Sequence, residues 1–154
     1  NLGFQYKNLE FSLSTFGQAG NEIYNRKRAV RYTQANFNFD KDFYDNRWTG
    51  EGSTNTYPSA KGMLKASNNS HTNSFFVEKG NFFRIQNIML AYNFRNIRMG
   101  GYTLPGVKLS LTADRPFTYF TSNGFTPEIS QNFGWDEGVY PLAATYTFGL
   151  TIDF

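Results

Sequence analysis

Hydrophobic and polar side chains alternate along five stretches of the chain, and this two-residue period predicts β-strands. Turn or loop residues separate the stretches, and no segment with a helical period is long enough to compete. The sequence therefore predicts an all-β chain of about five antiparallel strands, with a hairpin at Lys7-Asn8 joining the first two. The predicted strands lie near residues 2–7, 9–17, 82–95, 107–121 and 144–154.

The last stretch has the most regular alternation. Threonine, glycine and aspartate occupy one face over ten residues, and the other face is entirely apolar. That length matches the roughly 9 to 11 residues with which a tilted strand crosses the hydrocarbon layer of a membrane. We interpret it as a membrane-facing strand whose apolar residues are Tyr146, Phe148, Leu150, Ile152 and Phe154.

The connections between the predicted strands alternate between short and long. Long polar loops are predicted at 18–80 and 122–142, and a shorter turn containing Gly and Pro at 96–106. Outer-membrane barrels place short turns in the periplasm and long loops outside the cell, so this order predicts extracellular loops and a periplasmic C-terminus. Five strands cannot close a barrel, since the smallest have about 8, and the chain begins in mid-strand. We therefore expect a portion of a longer protein.

Composition narrows the function classes. The chain has 154 residues with 19% aromatic content, no cysteine and a net charge of +3. No apolar run is long enough for a spanning helix, and a disulfide framework or thiolate metal site is excluded. The charge is too mild to indicate nucleic-acid binding. The basic cluster of Arg26, Lys27, Arg28 and Arg31 is interpreted as a solvated loop.

Several segments of the sequence, in their order and spacing, resemble the C-terminal part of the SusC/RagA class of TonB-dependent outer-membrane transporters. Almost the whole chain takes part, although ADRPFTYFTS at 113–122 departs from the family pattern. Because Pro116 cannot donate a ladder hydrogen bond, we expect a bulge or edge there. The segments that carry the resemblance are FQYKNLEFSLSTFGQAGNEIYN at 4–25, NRWTGEGSTNTYP at 46–58, FFVEKGNFFRIQNIMLAYNF at 75–94, GFTPEI at 124–129 and GWDEGVYPLAATYTFGLTIDF at 134–154.

The resemblance implies a large transmembrane barrel of the 22-stranded, plugged type. It also implies a SusD-like surface lipoprotein as a lid and energy from a TonB complex in the inner membrane, with the plug domain N-terminal to this chain. As in outer-membrane proteins generally, the strand ending at Phe154 resembles the insertion signal that the barrel-assembly machinery recognises.

Catalysis and metal binding find little support. His71 is the only histidine, and it has no Asp or Ser at a motif spacing. The pairs Asp40 with Asp42 and Asp136 with Glu137 lack the spacing of a calcium loop. We therefore predict no enzyme activity, no metal and no cofactor.

The aromatic clusters of the two long loops contain the candidate binding residues. Aromatic faces stack on sugar rings or peptide side chains, and neighbouring polar groups can bond hydroxyls or amides. The same residues could instead pack the loops or meet the lipoprotein lid, and we favour this second interpretation because a long loop needs its own small core. The candidates are Tyr44, Arg47, Trp48, Trp135, Asp136 and Tyr140.

The sequence thus predicts the wall and outer loops of an active importer of glycan oligomers or peptides in the outer membrane. Two alternatives stay open. A soluble, secreted β-sandwich that binds carbohydrate would cover its alternating apolar face with a second sheet rather than lipid. A passive porin would share the strands but lack the N-terminal plug.

Overall fold

The computed structural model describes residues 1–34, 36–65, 73–129 and 134–153, and the chain forms two compact units. The sheet unit comprises Asn1–Gly20, Asn81–Thr121 and Pro141–Phe154, and the loop unit comprises Asn21–Gly80 and Ser122–Tyr140. Phe154 of the predicted insertion signal and His71 lie outside the described residues. The strands are β1 Leu2–Tyr6, β2 Leu9–Gln18, β3 Glu22–Tyr24, β4 Val77–Lys79, β5 Phe82–Met99, β6 Tyr102–Phe120 and β7 Thr145–Asp153.

The sheet unit is one antiparallel sheet of five strands in the order β1-β2-β5-β6-β7. This confirms the prediction of an all-β chain built from about five antiparallel strands. Neighbours in the sheet are also neighbours along the chain, apart from the two stretches that the loop unit takes up. The sheet does not close on itself, as expected for too few strands to make a barrel.

Strand register brings the apolar positions of all five strands onto one face, which we call the apolar face. Across its middle, Phe11 pairs with Leu90, Leu90 with Leu111, and Leu111 with Phe148. Because side chains alternate with a period of two, the intervening polar positions point to the opposite face. The apolar face consists of Leu2, Phe4, Tyr6, Leu9, Phe11, Leu13, Ile88, Leu90, Tyr92, Phe94, Val107, Leu109, Leu111, Ala113, Tyr146, Phe148, Leu150 and Ile152.

The opposite face of the sheet carries a polar network. Lys108 donates to Glu10 at 2.6 Å, and Asn93 donates to the same carboxylate at 2.6 Å. Asn87 donates to Asp114 at 2.8 Å. These bonds join β2, β5 and β6, so the two faces of one sheet differ in chemistry as well as in hydropathy.

The turn predicted at 96–106 is wrong. β5 and β6 continue past it as a long hairpin and are joined only by Gly100 and Gly101. Both glycines have positive φ, at 55° and 89°, as a tight two-residue hairpin turn requires. The Pro that suggested a turn lies inside β6, and the paired register passes over Asn96 and Pro105, so a proline without an N–H is tolerated there.

A bulge interrupts the sheet where Pro116 indicated one. The register changes between Ile85, paired with Phe117, and Asn87, paired with Asp114. Arg115 and Pro116 therefore face one residue of β5, and Arg115 has a φ of 51°. Because the extra residue of a bulge lies outside the regular ladder, Pro116 does not need to donate a ladder hydrogen bond there. The predicted bulge is thereby confirmed.

The loop unit contains secondary structure that the sequence did not predict. Besides the paired strands β3 and β4, it has helices α1 Arg26–Thr33, α2 Lys41–Asn46 and α3 Ala60–Lys65 and a 3₁₀ turn at Ser74–Phe76. Local caps explain two of the helices, because Asn25 accepts from the Arg28 amide at 3.0 Å and Asp40 accepts from the Phe43 amide at 3.0 Å. The helices are too short to give a clear period in the sequence.

An aromatic core holds these short elements together. Phe43 is fully buried, stacks on Phe39 with ring centroids 4.4 Å apart, and lies 4.7 Å from the ring of Tyr32. Tyr32 also meets Phe76 at 6.0 Å. The expectation that the long loop has its own small core is therefore met by Ala29, Tyr32, Phe43, Met63 and Phe76.

Candidate functional site

Arg28 is the electrostatic centre of the loop unit. Its guanidinium donates to the Tyr32 hydroxyl at 2.9 Å, to Asp42 at 2.9 Å and to Glu78 at 3.4 Å, and it lies 3.6 Å from Asp40. Arg28 is buried and the cluster lies on helix α1, so the prediction of a solvated loop is wrong for this residue, whereas Arg26 of the same cluster is exposed. A charge can be buried here because several carboxylates surround it.

Two tyrosines complete this network as hydrogen-bond donors. Burial raises the pKa of Tyr32, and its hydrogen bond to Asp40 raises the pKa further. Burial also raises the pKa of Tyr57, which donates to Asp42 at 2.7 Å. Both phenols therefore keep their protons at neutral pH and hold the carboxylates in place.

The first group of predicted binding residues lies on and after α2. Arg47 stacks on the ring of Tyr44, with its guanidinium carbon 4.0 Å from the centroid, and also donates to the Tyr44 carbonyl. Tyr44 is 61% exposed and Trp48 is 45% exposed. The Trp48 amide donates to Pro58 at 3.2 Å, which fixes the backbone beside its ring. Two exposed aromatic faces are thus held on an ordered segment.

The second group of predicted binding residues, Trp135, Asp136 and Tyr140, differs in exposure to solvent. Asp136 is buried and accepts from Lys27 at 2.9 Å, so its carboxylate orders the loop unit internally. Trp135 packs under Arg26, whose guanidinium carbon is 4.8 Å from the indole ring. Tyr140 is 86% exposed. Of these three, Tyr140 presents the most surface to a ligand or partner.

The structure also forms a cavity that the sequence did not reveal. Its volume is about 420 Å³, and α1 supplies one wall through positions i, i+1, i+4 and i+5. Arg26 with Val30 and Lys27 with Arg31 are i, i+4 pairs, and the members of each pair are neighbours on the helix surface. This signal becomes readable only once the segment is known to be helical. The lining residues are Arg26, Lys27, Val30, Arg31, Phe37 and Glu137, and we call this site the basic cavity.

The residues that the structure describes contain neither a metal-binding cluster nor a membrane-spanning helix. No group of three or more His, Asp or Glu side chains in this part of the chain is placed to hold a metal ion. Within the same residues, no helix has the length and apolar character needed to cross a membrane.

Comparisons with known proteins relate nearly the whole chain to much longer receptors. It is 32% identical to TonB-dependent receptor P26 of Formosa agariphila, covering 97% of this chain and 16% of that protein. It is 28% identical to TonB-dependent receptor SusC of Bacteroides thetaiotaomicron, covering 97% of the chain and 14% of the relative. No family model matches the sequence. The chain therefore spans about one sixth of the curated relatives it matches.

Solved structures share the fold. The RagAB peptide importer in its closed-closed state superposes with a TM-score of 0.77 at 22% identity, covering 99% of this chain and 16% of that chain. A second structure of the RagAB peptide transporter gives a TM-score of 0.77 at 24% identity and the same coverage. Both the five-stranded sheet and the helical loop unit are therefore found within larger importer chains.

Proposed function

This chain is a barrel segment of the SusC/RagA class of TonB-dependent outer-membrane receptors, and from that membership we propose that it forms part of an active importer of oligomeric nutrients, either glycans or peptides. In this proposal its strands are the last ones of the barrel, and the plug lies N-terminal to them in the whole protein. Relatives bearing the names of receptors and importers, rather than of enzymes, support a transport role.

The observation that carries the proposal is the exposed apolar face of the sheet. Leu111 is 58% exposed on β6 and Phe148 is 65% exposed on the edge strand β7, and both belong to an apolar surface that crosses all five strands. In water this surface would be an aggregation hazard, whereas lipid would cover it at no cost. The soluble sandwich is disfavoured because its apolar face would be buried against a second sheet.

Orientation follows from the lengths of the connections. The tight turns at Lys7-Asn8 and Gly100-Gly101 lie at one end of the strands. At the other end, where the long connections begin and end, Gln18 and Phe120 both pair with Phe82. We place the tight turns and the C-terminus in the periplasm and the loop unit outside the cell. The loop unit would then meet substrate and a SusD-like lipoprotein, while the TonB complex would act through the N-terminal part.

Assembly would depend on the last strand. In this proposal the barrel-assembly machinery recognises β7 together with Phe154, and the apolar positions of β7 then meet outer-membrane lipid. Tyr146 is 73% exposed and Leu150 is 56% exposed, so these side chains are available for both contacts.

Uptake by the whole protein tests the transport function. Cells that express the full-length receptor and its neighbouring lipoprotein should accumulate fluorescent oligopeptides or oligosaccharides, and deletion of TonB should abolish this accumulation. Uptake that continues undiminished without TonB would instead establish the passive porin.

Trp48 offers a test of the loop residues. We expect Trp48→Ala to weaken lipoprotein co-purification, or uptake at limiting substrate, by about thirtyfold or more, because Trp contacts at the centre of an interface typically contribute about 2 kcal/mol or more. Tyr102→Ala is the matched control, since Tyr102 is 80% exposed but lies beside the Gly100-Gly101 turn. Equal behaviour of the two variants would remove Trp48 from the contact surface.

A further inference from the structure

Three cationic side chains line the basic cavity, and two of them form ion pairs with described carboxylates. Arg26 forms an ion pair with Glu137, and the Lys27 ammonium lies 2.9 Å from Asp136. Arg31 makes no hydrogen bond or ion pair with any described residue, although it is half-buried on the same helix face. Two of the three cations are therefore neutralised, and Arg31 retains an unpaired guanidinium.

Arg31 also lines a second, smaller cavity of about 150 Å³, whose other charged lining residues are Lys27, Arg28 and Asp40. Arg31 thus borders two cavities. A planar guanidinium offers two parallel N–H donors, the geometry that matches a carboxylate. An unpaired and partly desolvated arginine has more to gain from such a ligand than a fully hydrated one.

Part of the lining of the basic cavity is apolar. Phe37 is 48% exposed and Val30 is 38% exposed, and both line the same volume as Arg31. An exposed aromatic face accepts a sugar ring or an apolar side chain. The cavity therefore combines an arginine that has no ionic partner among the described residues with apolar lining residues. Its volume of about 420 Å³ lies within the range of small-ligand pockets.

We propose that the basic cavity binds the carboxylate of an oligomeric substrate, with Arg31 holding the carboxylate and Phe37 and Val30 contacting the group that bears it. Two sources share this chemistry: the C-terminal residue of a peptide and a uronic acid unit of a glycan. The proposal builds on the importer function, since it names the substrate feature that the loop unit selects.

Binding to the full-length receptor in detergent tests this site. Isothermal titration would use a tetrapeptide ending in leucine, the same peptide as its C-terminal amide, a trigalacturonate and a neutral galactose trisaccharide. We expect the wild type to prefer at least one acid over its neutral partner. Arg31→Gln should lower affinity for that acid by about tenfold or more, as loss of a charge-assisted hydrogen bond implies, and leave the neutral partner unchanged.

Lys61→Gln is the matched control, because it removes a positive charge from an exposed position of the same unit outside the cavity lining. It should leave acid binding unchanged. Phe37→Ala should weaken the acid and its neutral partner together, because it removes the apolar contact but not the charge. The family of acid that loses affinity in Arg31→Gln identifies the source.

The site is overturned if Arg31→Gln binds both acids as tightly as the wild type, or if each acid and its neutral partner bind equally. TonB-dependent uptake by the wild type would still uphold the import function in that case. Conversely, acid binding that depends on Arg31 without TonB-dependent uptake would uphold the site and remove the importer. Thermal melting of each variant checks that the loop unit remains folded.

Discussion

Arg28→Met should destabilise the loop unit by about 3 kcal/mol, the lower end of the cost of breaking a buried ion pair. The methionine keeps the aliphatic stem but removes the charge that faces Asp42 and Glu78. Their carboxylates would then lie close together without a counter-charge. Asp42 is partly exposed, with 47% of its side chain accessible, and this partial hydration keeps the cost from being larger.

Hydrogen exchange of the full-length receptor in detergent measures this effect. Amides inside the loop unit, such as those of Asn25 and Ala29, should lose roughly a hundredfold of protection, as about 3 kcal/mol implies. Arg47→Met is the matched control, because Arg47 stacks on an exposed tyrosine rather than bridging carboxylates. Equal protection in Arg28→Met and the wild type would mean that the ion pairs contribute little to the stability of this unit.

Leu111→Arg should impair insertion of the barrel into the membrane. Leu111 lies in the middle of the apolar face, between Leu90 and Phe148 in the register. An arginine on the lipid face near the bilayer midplane costs about 2–4 kcal/mol. We expect a marked fall in the fraction of heat-modifiable, folded receptor in outer-membrane preparations.

Thr112→Arg is the control for this prediction. Thr112 is the next residue of β6 and pairs with Met89 and Thr147 on the opposite face. Its arginine would point into the barrel interior, where polar groups are accepted, so folding should remain near the wild-type level. If Thr112→Arg were the more damaging variant, the assignment of the two faces would be reversed.

Alternation in the sequence was sufficient to predict the sheet because it is a local property. A side chain's face depends only on its position within its own strand, and one residue of slip would expose the wrong set. The apolar positions of β7 and β6 therefore identified the same surface before their pairing was known. Pro116 likewise predicted the bulge from a local property, because proline has no backbone N–H to donate to the ladder.

Local chemistry misled where the meaning of a residue depends on its partners. Pro105 and its neighbouring glycine suggested a turn, yet the hairpin continues to Gly100-Gly101 because the ladder can pass over one unpaired position. Asp136 was a candidate for binding, with packing of the loops as the favoured interpretation, and only the fold shows that its carboxylate is buried against Lys27.

The sequence by itself determined the class of fold, the apolar face and the family resemblance. The first two rest on the alternation of apolar and polar residues, and the third rests on the order and spacing of short segments. Only the tertiary structure decided the chemistry of the loop unit. Arg28 reaches Glu78 across 50 positions, and Lys27 reaches Asp136 across 109. No local pattern reveals which charges of a basic cluster will be neutralised by such distant partners. The structure distinguishes buried Arg28 from Arg31, which has no ion pair or hydrogen bond with the residues that the structure describes. One run of charges thus contains both a structural centre and a candidate binding residue.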